Sequence, residues 1–297
     1  KLKPVEVKVT SEGWTEFVRQ PDPRVFEPLH EKAKRERSVI VELDTPRHLE
    51  IEEFVKGAKM LYENGADVIM MADNSLASPH LMGLNALDLH DILVVTGDPT
   101  KIGDFPGATS VYDVSSMELM AKVKEMNKGI SFSGKPLRKA SNFSIAGAFN
   151  PNVRAVGKVV ERLEKKLQHG CDYFISQPVY TKEKIIEVYE ETKHLEAPVY
   201  IGIMPLTSFK SAEFLHYEVP GIKLSDDVLA RMNEAGDNKV RAAEIGVQIA
   251  KELIDVASEL FNGIYLITPF LRYEMTLELM DYIKQLDEAK EGTKKYV

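Results

Sequence analysis

The feature that most limits the fold of this chain is a regular alternation of short β-branched runs with longer segments of helical periodicity. From Ser38 onward, seven runs have the length and composition of strands: 39–43, 67–71, 92–95, 143–148, 173–176, 199–203 and 264–267. Five longer segments carry apolar residues at i, i+3 and i+4 spacing: 51–64, 117–126, 153–169, 182–192 and 242–260. This alternation predicts an α/β protein whose parallel strands are connected by covering helices.

Seven strands without a glycine-rich nucleotide fingerprint fit a (β/α)8 TIM barrel better than a doubly wound sheet. One βα unit is then missing, and the gap lies between Met71 and Ile92, where only a short helix at 80–89 fits. Either the barrel is irregular, or a βα unit that would join Pro79 to His80 is missing through deletion or disorder. We favour the second interpretation.

Composition and charge narrow the classes of partner. The 297 residues carry a formal net charge of −8, with acids and bases interspersed, and the apolar runs are no longer than strands. We therefore expect neither nucleic acid nor a membrane as a partner. The single cysteine, Cys171, excludes an internal disulfide and a thiolate zinc cluster, which favours the reducing cytoplasm, and we expect no metal.

The two ends of the chain differ from the periodic part. Prolines and a lack of apolar periodicity in 1–37 predict a linker or N-terminal arm, which leaves 38–297 as the barrel domain. The charged segment 287–295 predicts a frayed, solvated end.

In a barrel, the chemistry belongs at the carboxyl ends of the strands. The residues at these positions are Glu42, Asp73, Asn74, Thr96, Gly97, Asp98, Phe149, Asn150, Gln177, Met204 and Thr268. None is a lysine or a histidine, which disfavours a Schiff-base aldolase and a metallohydrolase. Carboxylates and amides instead suit the binding of a heterocycle and the movement of one proton while a cofactor carries out the redox step.

Two of these residues, Glu42 and Asp98, have competing interpretations, and a third, Gln177, presents a neutral amide. Glu42 is either a strand carboxylate directed at an arginine or at solvent, or a general acid whose protonated form is favoured by partial desolvation. Asp98 follows Gly97 and precedes Pro99, so it either forms an Asx-type turn or supplies a functional carboxylate. Gln177 precedes Pro178 and delivers a neutral amide with two donors and an acceptor.

Several motifs together resemble the methylenetetrahydrofolate reductase family over nearly all of 38–286. They are Thr96-Gly97-Asp98, Ile175-Ser176-Gln177, and Gly202-Ile203-Met204-Pro205 with Phe209-Lys210. Further motifs are similar to the reductase half of bifunctional homocysteine S-methyltransferase/methylenetetrahydrofolate reductase proteins: Gly97-Asp98-Pro99-Thr100, Asp104-Phe105-Pro106-Gly107-Ala108-Thr109 and Leu266-Ile267-Thr268-Pro269-Phe270. This likeness implies a possible upstream homocysteine methyltransferase domain, whose cysteine-bound zinc this chain cannot supply.

The resemblance implies FAD-dependent reduction of 5,10-methylenetetrahydrofolate to 5-methyltetrahydrofolate, with NADH or NADPH as the hydride source. It assigns proton donation to Glu42 and electrostatic stabilisation to Asp98. The implied flavin contacts are Thr96, Gly97, Asp98, Tyr112, Ala148, Phe149 and Lys166, and the implied substrate contacts are Gln177, Ser211, Leu215 and Arg272. The chain departs from the family in two places: Ala148-Phe149-Asn150-Pro151 stands where a tyrosine-proline pair is common, and the histidine-bearing third strand is absent.

Two other classes of function remain open at this point. The first is a flavin-free enzyme on the same barrel, in which Glu42 and Asp98 act as an acid/base pair. The second is a non-catalytic regulatory barrel that has lost its flavin unit. We expect a homo-oligomer in each case. Flavin absorbance and a response to nicotinamide cofactors separate these alternatives.

Overall fold

The computed structural model describes residues 6–9, 15–18, 27–43, 52–71, 81, 84–85, 89–96, 114–219 and 222–294. Side chains are described within 27–43, 54–70, 81, 84–85, 89–96, 114–219 and 222–290. Most of the predicted barrel therefore lies within the described residues, whereas the predicted flavin residues Gly97, Asp98 and Tyr112 do not.

Seven parallel strands form one curled sheet, which confirms the predicted barrel-type fold. The strands of the described residues are β1 (Glu6–Val9), β2 (Thr15–Val18), β3 (Ser38–Leu43), β4 (Val68–Met71), β5 (Asp91–Val94), β6 (Ser144–Phe149), β7 (Tyr173–Pro178), β8 (Val199–Ile203) and β9 (Gly263–Ile267). The order in the large sheet is β4-β3-β9-β8-β7-β6-β5. Because β9 pairs with β3, the last strand of the large sheet lies beside the first strand of that sheet, as it does in a TIM barrel.

Helices follow most strands and cover the outside of the sheet. Those of the described residues are α1 (Leu29–Ala33), α2 (Glu52–Glu63), α3 (Ser116–Asn127), α4 (Val156–Gln168), α5 (Lys182–Thr192), α6 (Phe209–Tyr217), α7 (Asp226–Asn233), α8 (Lys239–Leu260) and α9 (Tyr273–Lys294). Five of them, α2, α3, α4, α5 and α8, correspond to the predicted helical segments. The predicted helix at 80–89 lies largely outside the described residues.

Local sequence explains the bounds of α3. Ser115 caps the first turn, since its hydroxyl accepts the Glu118 N–H while the Glu118 carboxylate accepts the Ser115 N–H. Met120, Val123 and Met126 then form one buried stripe. Beyond the helix, Gly129 adopts φ +80°, a left-handed conformation that glycine tolerates best.

Alternate residues of each strand belong to two different cores. Ile40 contributes to the inner core of the barrel, whereas its neighbour Val41 contributes to the outer core between sheet and helices. The other strand residues of the inner core are Ala146, Tyr173, Ile175, Tyr200 and Tyr265. Each large apolar side chain buried in these cores stabilises the fold by about 1.5–3 kcal/mol before entropy is counted.

The sheet ends at β4 on one side and at β5 on the other. An eight-stranded barrel would place one further strand between them. The chain between β4 and β5 includes Pro79 and His80, which lie outside the described residues. The break between these two residues therefore stays a prediction, located where the described sheet is one strand short.

The N-terminal segment contains more structure than a linker. The strands β1 and β2 pair as an antiparallel hairpin, and α1 packs on the inner core through Leu29 and Ala33. The Tyr200 hydroxyl lies 2.9 Å from Ser38 Oγ and 3.4 Å from the carbonyl oxygen of Leu29. Residues 29–33 thus cover the amino-terminal end of the barrel, although the division at 37 and 38 stays a prediction.

The prediction of a frayed end from residue 287 was wrong for residues 287–294. Helix α9 continues to Lys294. Asp287 forms an ion pair with Arg37, with 3.4 Å between Oδ1 and Nε. Lys290 Nζ donates a hydrogen bond to the carbonyl oxygen of Ser258 at 2.7 Å. Contacts with the N-terminal segment and with α8 hold a segment in which five of the eight residues are charged.

Candidate active site at the carboxyl end of the barrel

The carboxyl ends of the strands form a mouth above the inner core. Glu42, Ala148 and Ile267 each lie two residues beyond an inner-core residue of the same strand, so they continue the inner face. Glu42 and Ile267 are partners in the register of β3 and β9. All three side chains are half-buried, so this layer contacts both the core and solvent.

The backbone of Glu42 is fixed by the last strand of the barrel. Its carbonyl oxygen accepts a hydrogen bond from the Thr268 N–H at 3.2 Å. Thr276 Oγ1 donates a hydrogen bond to Thr268 Oγ1 at 3.0 Å, and both of these hydroxyls are buried. The carboxylate is therefore carried by a strand that is braced at its end.

The turn after β9 has an unusual backbone. Phe270 and Leu271 have φ angles of 49° and 56°, in the left-handed region that residues with a Cβ rarely adopt. The Phe270 side chain is 73% exposed. The turn is closed by the Arg272 N–H, which donates to the carbonyl oxygen of Pro269 at 3.0 Å. Such strained conformations cluster at ligand sites, and this one delivers the half-buried Arg272 to the start of α9.

Gln177 lies at an irregularity near the end of β7. Ile175 pairs with Tyr200 and Pro178 pairs with Gly202, so β7 contains one residue more than the facing segment of β8. The Gln177 side chain is exposed, whereas the neighbouring Ser176 is 1% exposed. A β-bulge of this kind redirects a side chain relative to the regular alternation.

Ser211 and Leu215 lie on α6, which follows β8. The Ser211 hydroxyl accepts a hydrogen bond from the Ser208 N–H at 3.1 Å, and Ser208 Oγ accepts one from the Ser211 N–H at 3.0 Å. Leu215 packs against the outer core. The hydroxyl of Ser211 thus already stabilises the start of α6, and Leu215 has an apolar environment in the fold.

The predicted flavin residues fall into two groups. Thr96 is exposed just after β5, and Ala148 lies at the mouth on β6. Phe149 instead belongs to the outer core. Lys166 crosses the outer face of β6 from α4, and its Nζ donates to the carbonyl oxygen of Ala148 at 2.6 Å. Burial lowers the pKa of Lys166, which is expected of an amine held between helix and sheet.

A second polar cluster lies at the opposite, amino-terminal end of the barrel. Asp91 accepts hydrogen bonds from Ser144 and Tyr173, but burial still raises its pKa to about 6, with a smaller contribution from the charge of Asp172. Ser144 Oγ also lies 2.8 Å from Nδ1 of His30 on α1. Burial lowers the pKa of His30. This cluster lies far from the catalytic face expected of a barrel, so we assign it no part in the chemistry.

Other kinds of site find no support in the parts of the chain that the structure describes. These parts contain no group of three or more His, Cys, Asp or Glu side chains placed to hold a metal ion. Cys171 is buried, which raises its pKa to about 12, so it is not a thiolate near neutral pH. No helix among the described residues is long and apolar enough to cross a membrane.

Comparison with known protein families shows to which family this chain belongs. The pattern of the methylenetetrahydrofolate reductase family matches residues 70–283, which is more than half of the 297 residues. The chain belongs to the methylenetetrahydrofolate reductase family. No curated protein sequence matches the chain.

Solved structures with a similar course of the chain include two proteins of folate chemistry. One is an uncharacterised protein from Clostridium thermocellum that binds two copies of 5-methyl-5,6,7,8-tetrahydrofolic acid. The two sequences are 20% identical, the match covers 85% of this chain and 97% of the other, and the TM-score is 0.48. Another is dihydropteroate synthase from Xanthomonas albilineans in complex with 7,8-dihydropteroate, with 12% identity, 85% and 94% covered, and a TM-score of 0.45. Both scores are below 0.5, so the family membership rests on the match over residues 70–283.

For this member of the methylenetetrahydrofolate reductase family, the structure brings only some of the predicted site residues to the mouth. Glu42, Ala148, Gln177 and Thr96 lie at the carboxyl ends of their strands, and Arg272 follows β9. Phe149 and Lys166 lie on the outer side of the sheet, while Gly97, Asp98 and Tyr112 fall outside the described residues.

Two residues that shape the mouth were given no role by the sequence analysis. They are Ser176 and Gly202, which form the contact between β7 and β8 beside Gln177. A signal was present in Ser176-Gln177-Pro178, because proline cannot donate a ladder hydrogen bond and is found at edges or bulges. The partner across the sheet, however, becomes visible only in the fold.

Proposed function

We propose that this protein reduces 5,10-methylenetetrahydrofolate to 5-methyltetrahydrofolate, using FAD and either NADH or NADPH. The family match over residues 70–283 carries the proposal. The half-buried carboxyl of Glu42 on the inner face of the mouth supports it. The net reaction adds one hydride and one proton to the folate, so the site needs a proton donor as well as a hydride source.

Glu42 is the proton donor in this proposal. Opening of the five-membered ring of the substrate leaves a nitrogen that must gain a proton, and a carboxylic acid held at the mouth supplies it. The hydrogen bond from Thr268 to the Glu42 carbonyl oxygen keeps the strand that carries the acid in place.

Three other residues bind the folate. Gln177 presents amide donors and an acceptor to the pterin heterocycle. The guanidinium of Arg272 suits a carboxylate of the folate glutamate, because its planar fork binds carboxylates with two hydrogen bonds. Asp98 stabilises the cation that develops on ring opening, in the role that the resemblance implies.

The described residues fit a flat ring at the mouth. On the inner face near β5 and β6, Ala148 has only a small side chain and Thr96 is exposed. Bound FAD would supply hydride chemistry there. Thr96 and Ala148 would contact the ring. Lys166 would act indirectly, through its hydrogen bond to the carbonyl oxygen of Ala148. Gly97, Asp98 and Tyr112 complete the proposed flavin site.

The remaining expectations accompany this function as proposals. A cytoplasmic location, a homo-oligomeric state and an upstream homocysteine methyltransferase domain in the native protein agree with a one-carbon enzyme of methionine synthesis. The choice between NADH and NADPH is left to the assay.

Anaerobic rapid mixing tests the proposal directly. The purified protein is reconstituted with FAD, mixed with NADH or NADPH, and then mixed with 5,10-methylenetetrahydrofolate while the flavin absorbance is recorded. We expect bleaching, then recovery of the absorbance with formation of 5-methyltetrahydrofolate. Folate binding without turnover would indicate a non-catalytic barrel, and turnover of a folate by colourless protein would indicate a flavin-free enzyme.

A further inference from the structure

The pairing of β7 with β8 contains one extra residue at the mouth. Ile175 is opposite Tyr200 and Pro178 is opposite Gly202, so Ser176 and Gln177 together face a single residue, Ile201. Bulges are rare in parallel pairs and are over-represented beside active sites. This one lies directly at a proposed folate ligand.

The hydroxyl of Ser176 holds the bulge together. Ser176 Oγ accepts a hydrogen bond from the Gly202 N–H at 2.8 Å and donates one to the carbonyl oxygen of Gln177 at 2.8 Å. Because Ser176 is 1% exposed, water cannot readily replace either bond. One buried hydroxyl therefore connects the extra residue to the neighbouring strand.

Gly202 provides the complementary space. A Cβ atom at this position would lie 2.7 Å from the carbonyl oxygen of Ser176 and 3.0 Å from the carbonyl carbon of Gln177. The peptide groups on both sides of Gln177 thus occupy the volume that a side chain would take on the inner face of β8. The Gln177 side chain is exposed at the mouth.

We propose that Ser176 is the positioning residue for Gln177: its hydroxyl, seated against the glycine at 202, fixes the bulge that turns the Gln177 amide toward bound folate. The folate as ligand rests on the proposed function, whereas the bulge itself does not. Without the hydroxyl, the buried Gly202 N–H loses its partner. Regular pairing of Gln177 with Gly202 then becomes favourable, and the Gln177 side chain leaves the position that the bulge gives it and returns to the alternation of β7, in line with Ile175.

The first experiment needs no folate. Crystal structures and amide hydrogen exchange of FAD-reconstituted wild type, Ser176→Ala and Ser176→Thr are compared. We expect Ser176→Ala to pair Gln177 with Gly202 and to speed exchange at the Gly202 amide by about 10-fold or more, while Ser176→Thr retains the hydroxyl and the slow exchange. An unchanged bulge with unchanged Gly202 exchange in Ser176→Ala would overturn the proposal.

The second experiment measures coupling to Gln177 with 5-methyltetrahydrofolate as the probe. We expect Ser176→Ala and Gln177→Ala each to weaken binding by about 10-fold, and the double variant to bind within about two-fold of Gln177→Ala alone. Losses that add in the double variant would show that Ser176 does not act through Gln177.

Ser144→Ala is the matched control, since it removes an equally buried serine hydroxyl at the opposite end of the barrel. It should lower stability but leave the dissociation constant within about two-fold of wild type. If wild type fails to bind 5-methyltetrahydrofolate, the proposed function is refuted. In that case, the crystal structures and the hydrogen exchange at the Gly202 amide still decide whether the Ser176 hydroxyl fixes the bulge.

Discussion

The Thr268 N–H donates a hydrogen bond to the carbonyl oxygen of Glu42 at 3.2 Å, which joins the exit turn of the last strand to the end of the first. The same turn contains the left-handed Phe270 and Leu271 and leads to Arg272. One short segment therefore braces the proposed proton donor and presents a proposed folate ligand. Changes in this turn should affect the folate step more than the reaction with the nicotinamide cofactor.

Replacing Glu42 by glutamine should separate the two half-reactions. Glu42→Gln keeps the shape of the side chain but removes the proton that ring opening requires. Flavin reduction by NADH or NADPH should survive within a small factor, while reoxidation by 5,10-methylenetetrahydrofolate should slow by about 10²-fold, or about 2.7 kcal/mol of barrier. Rapid-mixing absorbance measures both steps. Equal slowing of the two would show that Glu42 maintains the site as a whole.

Removing the guanidinium of Arg272 should weaken folate binding selectively. Arg272→Ala should raise KM for 5,10-methylenetetrahydrofolate by about 10-fold or more, since a hydrogen bond to a charged group contributes about 1.5–3 kcal/mol. Arg272→Lys should recover only part of the loss because a lysine lacks the planar fork. Steady-state kinetics at saturating nicotinamide cofactor provide the measurement, and an unchanged KM in Arg272→Ala would remove this residue from the folate site.

The hydroxyl pair of Thr268 and Thr276 should be coupled in stability. Thr276→Val leaves the buried Thr268 hydroxyl without its partner, which should lower the free energy of unfolding by about 1–3 kcal/mol. The double variant Thr268→Val/Thr276→Val should be closer to wild type, because replacing both partners by apolar groups of similar shape costs less. Denaturant titration measures wild type, Thr268→Val, Thr276→Val and the double variant, and strictly additive losses would contradict the pairing.

The stability contributed by Asp91 should depend on pH with a defined sign. Its pKa is raised from 3.8 to about 6 in the folded state, mainly by burial. The folded protein therefore binds this proton more tightly than the unfolded chain does, and the associated stability is present below about pH 4 and is lost as pH rises to about 6. Asp91→Asn should gain about 3 kcal/mol over wild type at about pH 8 and little at about pH 4.

Thermal unfolding of wild type and Asp91→Asn at several pH values checks the predicted pH dependence, and Asp172→Asn serves as a contrast. Asp172 pairs with Lys124 at 2.7 Å and accepts the Ile145 N–H at 2.8 Å, so its replacement should lower stability at about pH 8. A loss of stability in Asp91→Asn at that pH would show that the hydrogen bonds from Ser144 and Tyr173 outweigh the cost of burying the charge.

Several features of the site could be predicted from neighbouring residues alone. In Val39-Ile40-Val41-Glu42-Leu43, β-branched residues specify a strand, and the two-residue period places Glu42 on the same face as Ile40. The strand count also predicts a missing βα unit between β4 and β5, the two strands at which the described sheet ends. Local periodicity thus determined the barrel-type fold, the positions of its strands and the strand-end acid.

The sequence by itself did not determine the features that depend on partners distant in the chain. Arg37 and Asp287 are separated by 250 positions, yet their contact orders a segment whose charge alone indicates fraying. The Ser176 hydroxyl finds the Gly202 N–H across the sheet, and no local pattern encodes that pairing. Tertiary structure decided these features because a buried polar group is stabilised by whichever partner the fold brings within reach, whereas strand and helix periodicity arises from the geometry of the local backbone.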